Sequence, residues 1–241
     1  MAGTAVAWQR AAEVTGRLYV AGTFLSWSAA VLYGVIGLAY LAKAVRHPAA
    51  ARAEWRDPVR VAFLPLASVG LMLTALAVVA DAPRLSAVLW WSGAVAHLGL
   101  TLWILDTWTR GERFRPAHVH PAWFIPAVGN LVAPLAGTHH APHDMLWFLF
   151  AVGIVYWLGL LPIILGRLLF AGPLPAPLPA PLQPTLAIMI APPAVGYLSY
   201  VALGGEIGDP FARVLLAVAV FQTLLLAVRA PHLRRVLFSL S

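Results

Sequence analysis

The chain reads as an all-α membrane protein with about seven transmembrane helices. Three observations predict this. First, its 241 residues are 61% hydrophobic and only 10% charged, too few charges to cover the surface of a soluble domain of that size. Second, the apolar residues fall in runs of roughly 20, the length needed to cross hydrocarbon. Third, the runs lack the two-residue alternation of barrel strands, which leaves the helix as the fold that satisfies its backbone in lipid.

Seven spans follow in order. The first covers 18–43 and ends in a basic cluster. The second, 60–80, holds VAFLPLASVGLMLTALAVVA with Pro65 near its start. The third, 86–107, holds SAVLWWSGAVAHLGLTLWILDT without an internal proline. The fourth, 121–137, is PAWFIPAVGNLVAPLAG and contains Pro126. The fifth, 144–170, has only Pro162. The sixth, 182–204, carries LQPTLAIMIAPPAVGYLSY with Pro192 and Pro193 in its middle. The seventh, 211–229, is FARVLLAVAVFQTLLLAVR, again without an internal proline.

The loops between spans differ in charge. Lys43, Arg46, Arg52, Arg56 and Arg60 follow the first span, Arg110, Arg113 and Arg115 the third, Arg167 the fifth, and Arg229, Arg234 and Arg235 the seventh. Those are twelve of the sixteen basic residues, while the alternate loops hold Arg84 and Arg213 beside Asp81, Glu206 and Asp209. The positive-inside rule places the first set, and the C-terminus, in the cytoplasm. The N-terminus, with Arg10 and Arg17, is then outside, and the expected home is a bacterial inner (cell) membrane. The net charge of +7 thus describes one face of a membrane, and no nucleic-acid partner is expected. The first seventeen residues carry Glu13 within too short an apolar run to be a signal peptide. With no cysteine in the chain, there is neither a disulfide nor a thiolate metal site.

The prolines have a rhythm. Pro65, Pro126 and Pro192 are separated by 61 and 66 residues, about one helical hairpin each. Kinked and straighter helices therefore alternate, as in a repeated hairpin unit gathered round a shared axis. The whole chain, 1–241, forms a single transmembrane domain. Within it, 172–184 (GPLPAPLPAPLQP) reads as a polyproline II linker on the cytoplasmic side.

The stretches RHPAAARAEWRDPVRVAFLPLASVGLML (46–73), HPAWFIPAVGNLVAPLAG (120–137), YWLGLLPIILGRL (156–168) and LQPTLAIMIAPPAVGYLSYVALGGEIGD (182–209), in this order and spacing, resemble the tellurite-resistance and dicarboxylate transporter family. That family includes the plant slow-type anion channels. The resemblance implies ten helices in five hairpins, a quasi-five-fold ring whose proline-kinked inner helices surround a narrow apolar pore. The second, fourth and sixth spans would be inner helices. It also implies that AVAWQRAAEV (5–14) is the end of the family's first helix, most of it absent. RVLFSLS (235–241) would approach a ninth helix, with the ninth and tenth absent. The family's gating phenylalanine belongs to that ninth helix, so Phe238 does not inherit the role. Leu161 stands where many members have glutamate. Trimers and small-anion substrates are further implications of the resemblance.

Seven residues are candidates for the pore lining: Pro65, Ser68, Pro126, Asn130, Pro192, Pro193 and Tyr197. Asn130 follows Pro126 by four residues and shares its helical face; it reads equally as a pore dipole or an interhelical hydrogen bond. Ser68 is a pore group or a donor to its own backbone, and Tyr197 narrows a pore or packs between helices. His97, deep in the third span, is expected to bond across helices. His139, His140 and His143 lie beside Asp144 in an outer loop, but adjacent histidines seldom converge on one ion, so no metal is expected. Asp106 and Arg110 are spaced to pair.

No nucleophile, zinc or phosphate-loop motif appears, so no enzyme and no cofactor are expected. A retinal protein needs a lysine in its last span and the only lysine is Lys43; a membrane haem needs paired histidines. The reading is an anion channel or transporter whose partners are the lipid bilayer and small anions, with a homo-oligomer implied by resemblance. The alternatives are a non-conducting truncated membrane subunit and a proton-coupled dicarboxylate carrier.

The charge pattern makes a testable topology. Single cysteines replacing Ala51 and Thr138 in intact cells should label differently with an impermeant maleimide, position 138 reacting and 51 protected. The reverse pattern overturns the orientation.

Overall fold

The computed structural model describes residues 4, 7, 8, 19–110, 115–170 and 178–233. Among these there is no strand. Six helices are long and apolar enough to cross a bilayer, and the seventh apolar run, Pro121–Gly137, is shorter. The limits read from the sequence for the six long spans agree with these helices to within three residues. Arg10, Arg17, Arg113, Arg234 and Arg235, the proline-rich residues 172–177 and the readings of the two chain ends lie outside the described residues, apart from isolated positions.

Four spans are continuous helices: α1 (Tyr19–Arg46), α4 (Pro83–Thr109), α7 (His143–Leu169) and α9 (Pro210–Leu233). A short surface helix, α2 (Pro48–Arg56), follows α1. The other three spans are broken. The second is a 3₁₀ turn, Arg60–Phe63, followed by α3 (Leu66–Val78). The fourth runs as 3₁₀ over Pro121–Trp123, α5 (Phe124–Val128), 3₁₀ over Gly129–Val132 and α6 (Ala133–Gly137). The sixth is 3₁₀ over Ala180–Ile190, then α8 (Ala191–Ala202).

Proline position decides which spans break. Pro48, Pro83 and Pro210 begin helices, where a missing N–H costs nothing because that donor has no partner inside the helix. The residues before the first two, His47 and Ala82, have φ/ψ of −131°/62° and −141°/70°, outside the α region that a following proline disfavours. Asp57 Oδ1 accepts the N–H groups of Val59 and Arg60 at 2.8 Å each and so starts the second span. Asp209 Oδ1 accepts the Ala212 N–H at 2.8 Å and starts α9. That amide bond, followed by the Tyr200 hydroxyl, lowers the Asp209 pKa.

Sequence reasoning treated Pro65, Pro126 and Pro192 as kinks in α-helices. The structure corrects this: at Pro65 and Pro192 the helix changes type. A proline removes the donor for the carbonyl four residues earlier. For Pro65 that carbonyl is Val61's, and the Leu64 N–H bonds it instead at 3.3 Å. For Pro192 it is Ile188's, taken by the Ala191 N–H. For Pro134 it is Asn130's, taken by the Ala133 N–H. Each replacement is the i→i+3 bond of a 3₁₀ turn. The carbonyls facing Pro65 and Pro192 are therefore satisfied within their own chain segment, not left to a pore or a neighbour. Pro162 lies inside α7 without interrupting it.

The 3₁₀ run of the sixth span also alters the reading of 172–184 as polyproline. Pro179 has the extended values φ −53° and ψ 144°. From Ala180 onward the chain turns, the Leu182 N–H bonding the Pro179 carbonyl at 2.8 Å.

The broken spans touch one another in order, the second against the fourth and the fourth against the sixth. The continuous helices pack around them: α4 on the second span, α7 on the fourth and α9 on the sixth. Every residue of 121–137 is buried except Gly129 and Leu135, which are half-buried. The outer helices show apolar side chains instead, such as Val20, Phe24, Val31 and Val35 on α1 and Val214, Phe221, Leu224 and Val228 on α9. Lipid tails solvate such surfaces as readily as a core does.

Close helix approach rests on glycine. A Cβ at Gly153 of α7 would lie 2.5 Å from Leu131 Cγ and 3.1 Å from the Leu131 backbone nitrogen, whereas one at Gly159 would meet nothing within 4 Å. Gly153→Ala should cost about 1–3 kcal/mol by overpacking. Gly159→Ala should be neutral or stabilise by up to about 1 kcal/mol. Thermal unfolding in detergent compares the two, and equal effects would contradict the close contact.

Candidate functional site

The polar groups of the spans gather where the fourth span departs from α geometry. Its carbonyls are met by side chains from the flanking helices. The Trp90 indole of α4 donates to the Ala133 carbonyl at 2.8 Å. Ser199 of α8 donates its hydroxyl to the Leu131 carbonyl. Thr101 of α4 sits 2.5 Å from the Pro126 carbonyl and 2.9 Å from the His97 carbonyl. A hydroxyl has one proton, so it serves one of these at a time. Asn130 donates from Nδ2 both to Thr101 Oγ1 at 3.0 Å and to the Ala127 carbonyl at 2.9 Å. The Asn130 amide therefore spans two helices and also steadies its own turn.

A second group joins the second, third and fourth spans. Ser68 donates to the Pro65 carbonyl at 2.8 Å, and its oxygen is 2.8 Å from His97 Nδ1. With its one proton on Pro65, Ser68 Oγ accepts from a protonated Nδ1, which sets the histidine tautomer. The imidazole abuts Gly129, where a Cβ would lie 2.4 Å from Cε1 and 2.5 Å from Nε2. His97 thus makes the interhelical bond expected of it.

The seven candidate residues separate into two kinds. Pro65, Ser68, Pro126, Asn130, Pro192 and Pro193 are buried, while Tyr197 is half-buried against the core. Ser68, Pro126 and Asn130 belong to the polar groups just described. Pro192 and Pro193 occupy the first turn of α8, and Tyr197 follows them on the same helix. Sequence reasoning missed Trp90, Thr101 and Ser199. Their signal was a hydroxyl or indole within an apolar span, with no clue to the carbonyl it would meet.

The outer histidines disperse. His140 Nε2 is 2.8 Å from Ser86 Oγ, which donates to the Ala75 carbonyl. His143 Nε2 accepts from the Trp147 indole at 2.8 Å. Among the described residues, no group of three metal-ligating side chains converges. Asp106 and Arg110 pair at 2.9 Å, as their spacing predicted.

At the opposite end, His120 precedes the fourth span, buried and stacked on Phe63 with ring centroids 5.7 Å apart. The Trp108 and Trp123 rings stack with centroids 4.3 Å apart. Burial lowers the His120 pKa to about 4, against a smaller opposing contribution from the Val59 backbone.

The chain is an all-α membrane protein of alternating broken and continuous spans. The match to known proteins agrees: the family described as voltage-dependent anion channel, SLAC1, covers residues 1–233, and the chain belongs to it. The tellurite resistance protein TehA homolog of Haemophilus influenzae is 28% identical over 167 residues, 68% of this chain and 49% of that protein. The S-type anion channel SLAH3 of Arabidopsis thaliana is 28% identical over 211 residues, 86% of this chain and 32% of that protein. An uncharacterized transporter of Methanocaldococcus jannaschii is 25% identical over 183 residues, 71% and 52% of the two chains. The chain thus spans about half the length, or less, of these relatives.

His120 yields a pH prediction. Its folded pKa lies below the unfolded value, so between about pH 6.5 and 4 the unfolded chain binds more protons. Stability then rises with pH across that window and is lost on acidification. His120→Phe, which keeps the stacking, should remove up to about 3 kcal/mol of that loss. Melting of both forms at pH 7.5 and 4.5 checks it; parallel losses would refute it.

Proposed function

We propose that this chain forms part of the wall of an anion path, in an anion channel or transporter that passes small inorganic anions, oxyanions or dicarboxylates. Pro65, Ser68, Pro126, Asn130, Pro192, Pro193 and Tyr197, all on the three broken spans, are its lining in this reading, Ser68 and Asn130 being also bonded to α4. The observation that carries the reading is the chemistry of those spans. Residues 61–78, 121–137 and 182–202 contain no Asp, Glu, Lys or Arg, yet Lys43, Arg46, Arg52, Arg56 and Arg60 precede the first of them. An anion is attracted to the basic end and then meets dipoles instead of a fixed cation. Weak binding of that kind suits fast passage. The names of the relatives, a tellurite resistance protein homolog and an S-type anion channel, support the substrate class. The basic end is cytoplasmic in this reading, the C-terminus with it, and the protein works as a homo-oligomer in a bacterial inner membrane.

Channel is favoured over proton-coupled carrier. A carrier needs a buried ionisable relay, and His97, the histidine deep in the spans, is already held between Ser68 and Gly129. A purely structural role for Asn130 has its own support in the bonds to Thr101 and Ala127.

Flux into liposomes across chloride, nitrate, tellurite and a dicarboxylate tests the proposal. Selective flux is expected from a version with all ten helices, and none from that folded version removes the proposal. Asn130→Leu separates the two roles when set against Thr101→Val. The Asn130 variant should change flux several-fold more than the Thr101 variant at equal loss of melting temperature. Unchanged flux with lost stability assigns Asn130 to structure alone.

A further inference from the structure

The surface helix α2 and the end of α4 form a groove on the outer wall. It has a volume of about 430 Å³ and is lined by Ala51, Arg52, Trp55, Arg56 and Trp103. Arg52, Trp55 and Arg56 are spaced by three and four residues, so they share one face of α2. The Trp55 and Trp103 rings meet at 5.4 Å and 54°. The neighbouring charges are already paired: Lys43 with Glu54 at 2.5 Å and Arg110 with Asp106 at 2.9 Å. Arg52 is exposed and makes no ion pair among the described residues.

Above the groove, α4 presents a bare apolar strip. Val95 and Leu102 are 63% and 62% exposed. Gly99 lies between them, with nothing within 4 Å of where its Cβ would be. The strip runs from mid-helix to Trp103 near the end of α4, and tryptophan is enriched at membrane interfaces. Cation, aromatic pair and apolar track thus follow one another from α2 onto α4.

We propose that this groove is a binding site for an anionic phospholipid. The phosphate rests on Arg52 and Arg56, the glycerol region packs on Trp55 and Trp103, and one acyl chain lies along Leu102, Gly99 and Val95. Arginine suits the task because its planar fork bonds two phosphate oxygens at once. The site goes beyond the anion path; it shares Arg52 and Arg56 with the basic end, and lipid retention reads it independently of anion flux.

The test is lipid retention by the full chain, read by native mass spectrometry in detergent. Dioleoyl phosphatidylglycerol, dioleoyl phosphatidylcholine and soluble glycerol phosphate are titrated separately. The phosphatidylglycerol should be retained, and the other two should not. Arg52→Gln and Arg56→Gln should each weaken retention about fivefold, Arg52→Lys by less, and Arg229→Gln, which removes the same charge elsewhere, not at all. Melting in phosphatidylcholine verifies that the variants fold, and Gly99→Leu, which fills the acyl track without changing charge, should also weaken retention. Equal retention of phosphatidylcholine overturns the proposal, as does indifference to the Arg52 and Arg56 substitutions. Binding of glycerol phosphate as tight as that of the lipid identifies a free-phosphate site instead and equally overturns it.

Discussion

The architecture depends on one constraint: in hydrocarbon, a carbonyl that loses its amide donor must find another. Every proline inside a span creates such a loss. Val61, Asn130 and Ile188 each face one, across from Pro65, Pro134 and Pro192, and each recovers a donor one residue nearer along the chain. The local remedy converts α-helix to 3₁₀ and requires no partner. It fixes where α3, α6 and α8 begin, and hence which residues of the inner spans can face which neighbours.

Around the fourth span the local remedy is not enough. Three helix-type changes within 121–137 misalign its carbonyls, and Trp90, Thr101 and Ser199 supply donors from two other helices. Such bonds are worth about 0.6 kcal/mol each on average in membrane proteins, but they act where unsatisfied groups would cost several kcal/mol. Gly129 and Gly153 permit the necessary closeness, one under the His97 ring and one under Leu131. The core is therefore polar at defined points and apolar everywhere else, which ties α4, α7 and α8 to one central segment.

Much of this was legible in the sequence. Span limits followed from hydropathy because lipid imposes a nearly fixed length on apolar runs. Asn130 and His97 stood out because amides and imidazoles are rare at such depth, and both form the interhelical bonds open to them. What they bond to was not legible: Thr101 is 29 residues from Asn130, and Ser68 is 29 from His97. Only the packed hairpin brings them together. Proline rhythm marked the broken spans but not the kind of break, since a kink and a 3₁₀ turn both answer the missing N–H. Residues such as Ser199 carried no distinguishing mark, because a serine in a membrane helix most often bonds its own turn.

The 3₁₀ segments also change how far a span reaches. Each residue of 3₁₀ helix advances about 2.0 Å along the axis, against about 1.5 Å in α-helix. Pro121–Gly137 has seventeen residues, and seven of them, Pro121–Trp123 and Gly129–Val132, are 3₁₀. As an α-helix it would measure about 26 Å, short of a hydrocarbon layer of about 30 Å. With its 3₁₀ segments it measures about 29 Å. A segment that looks too short to cross is thus stretched to nearly the full thickness by the same prolines that interrupt it, and the central element matches the length of the longer helices around it more closely than its residue count suggests.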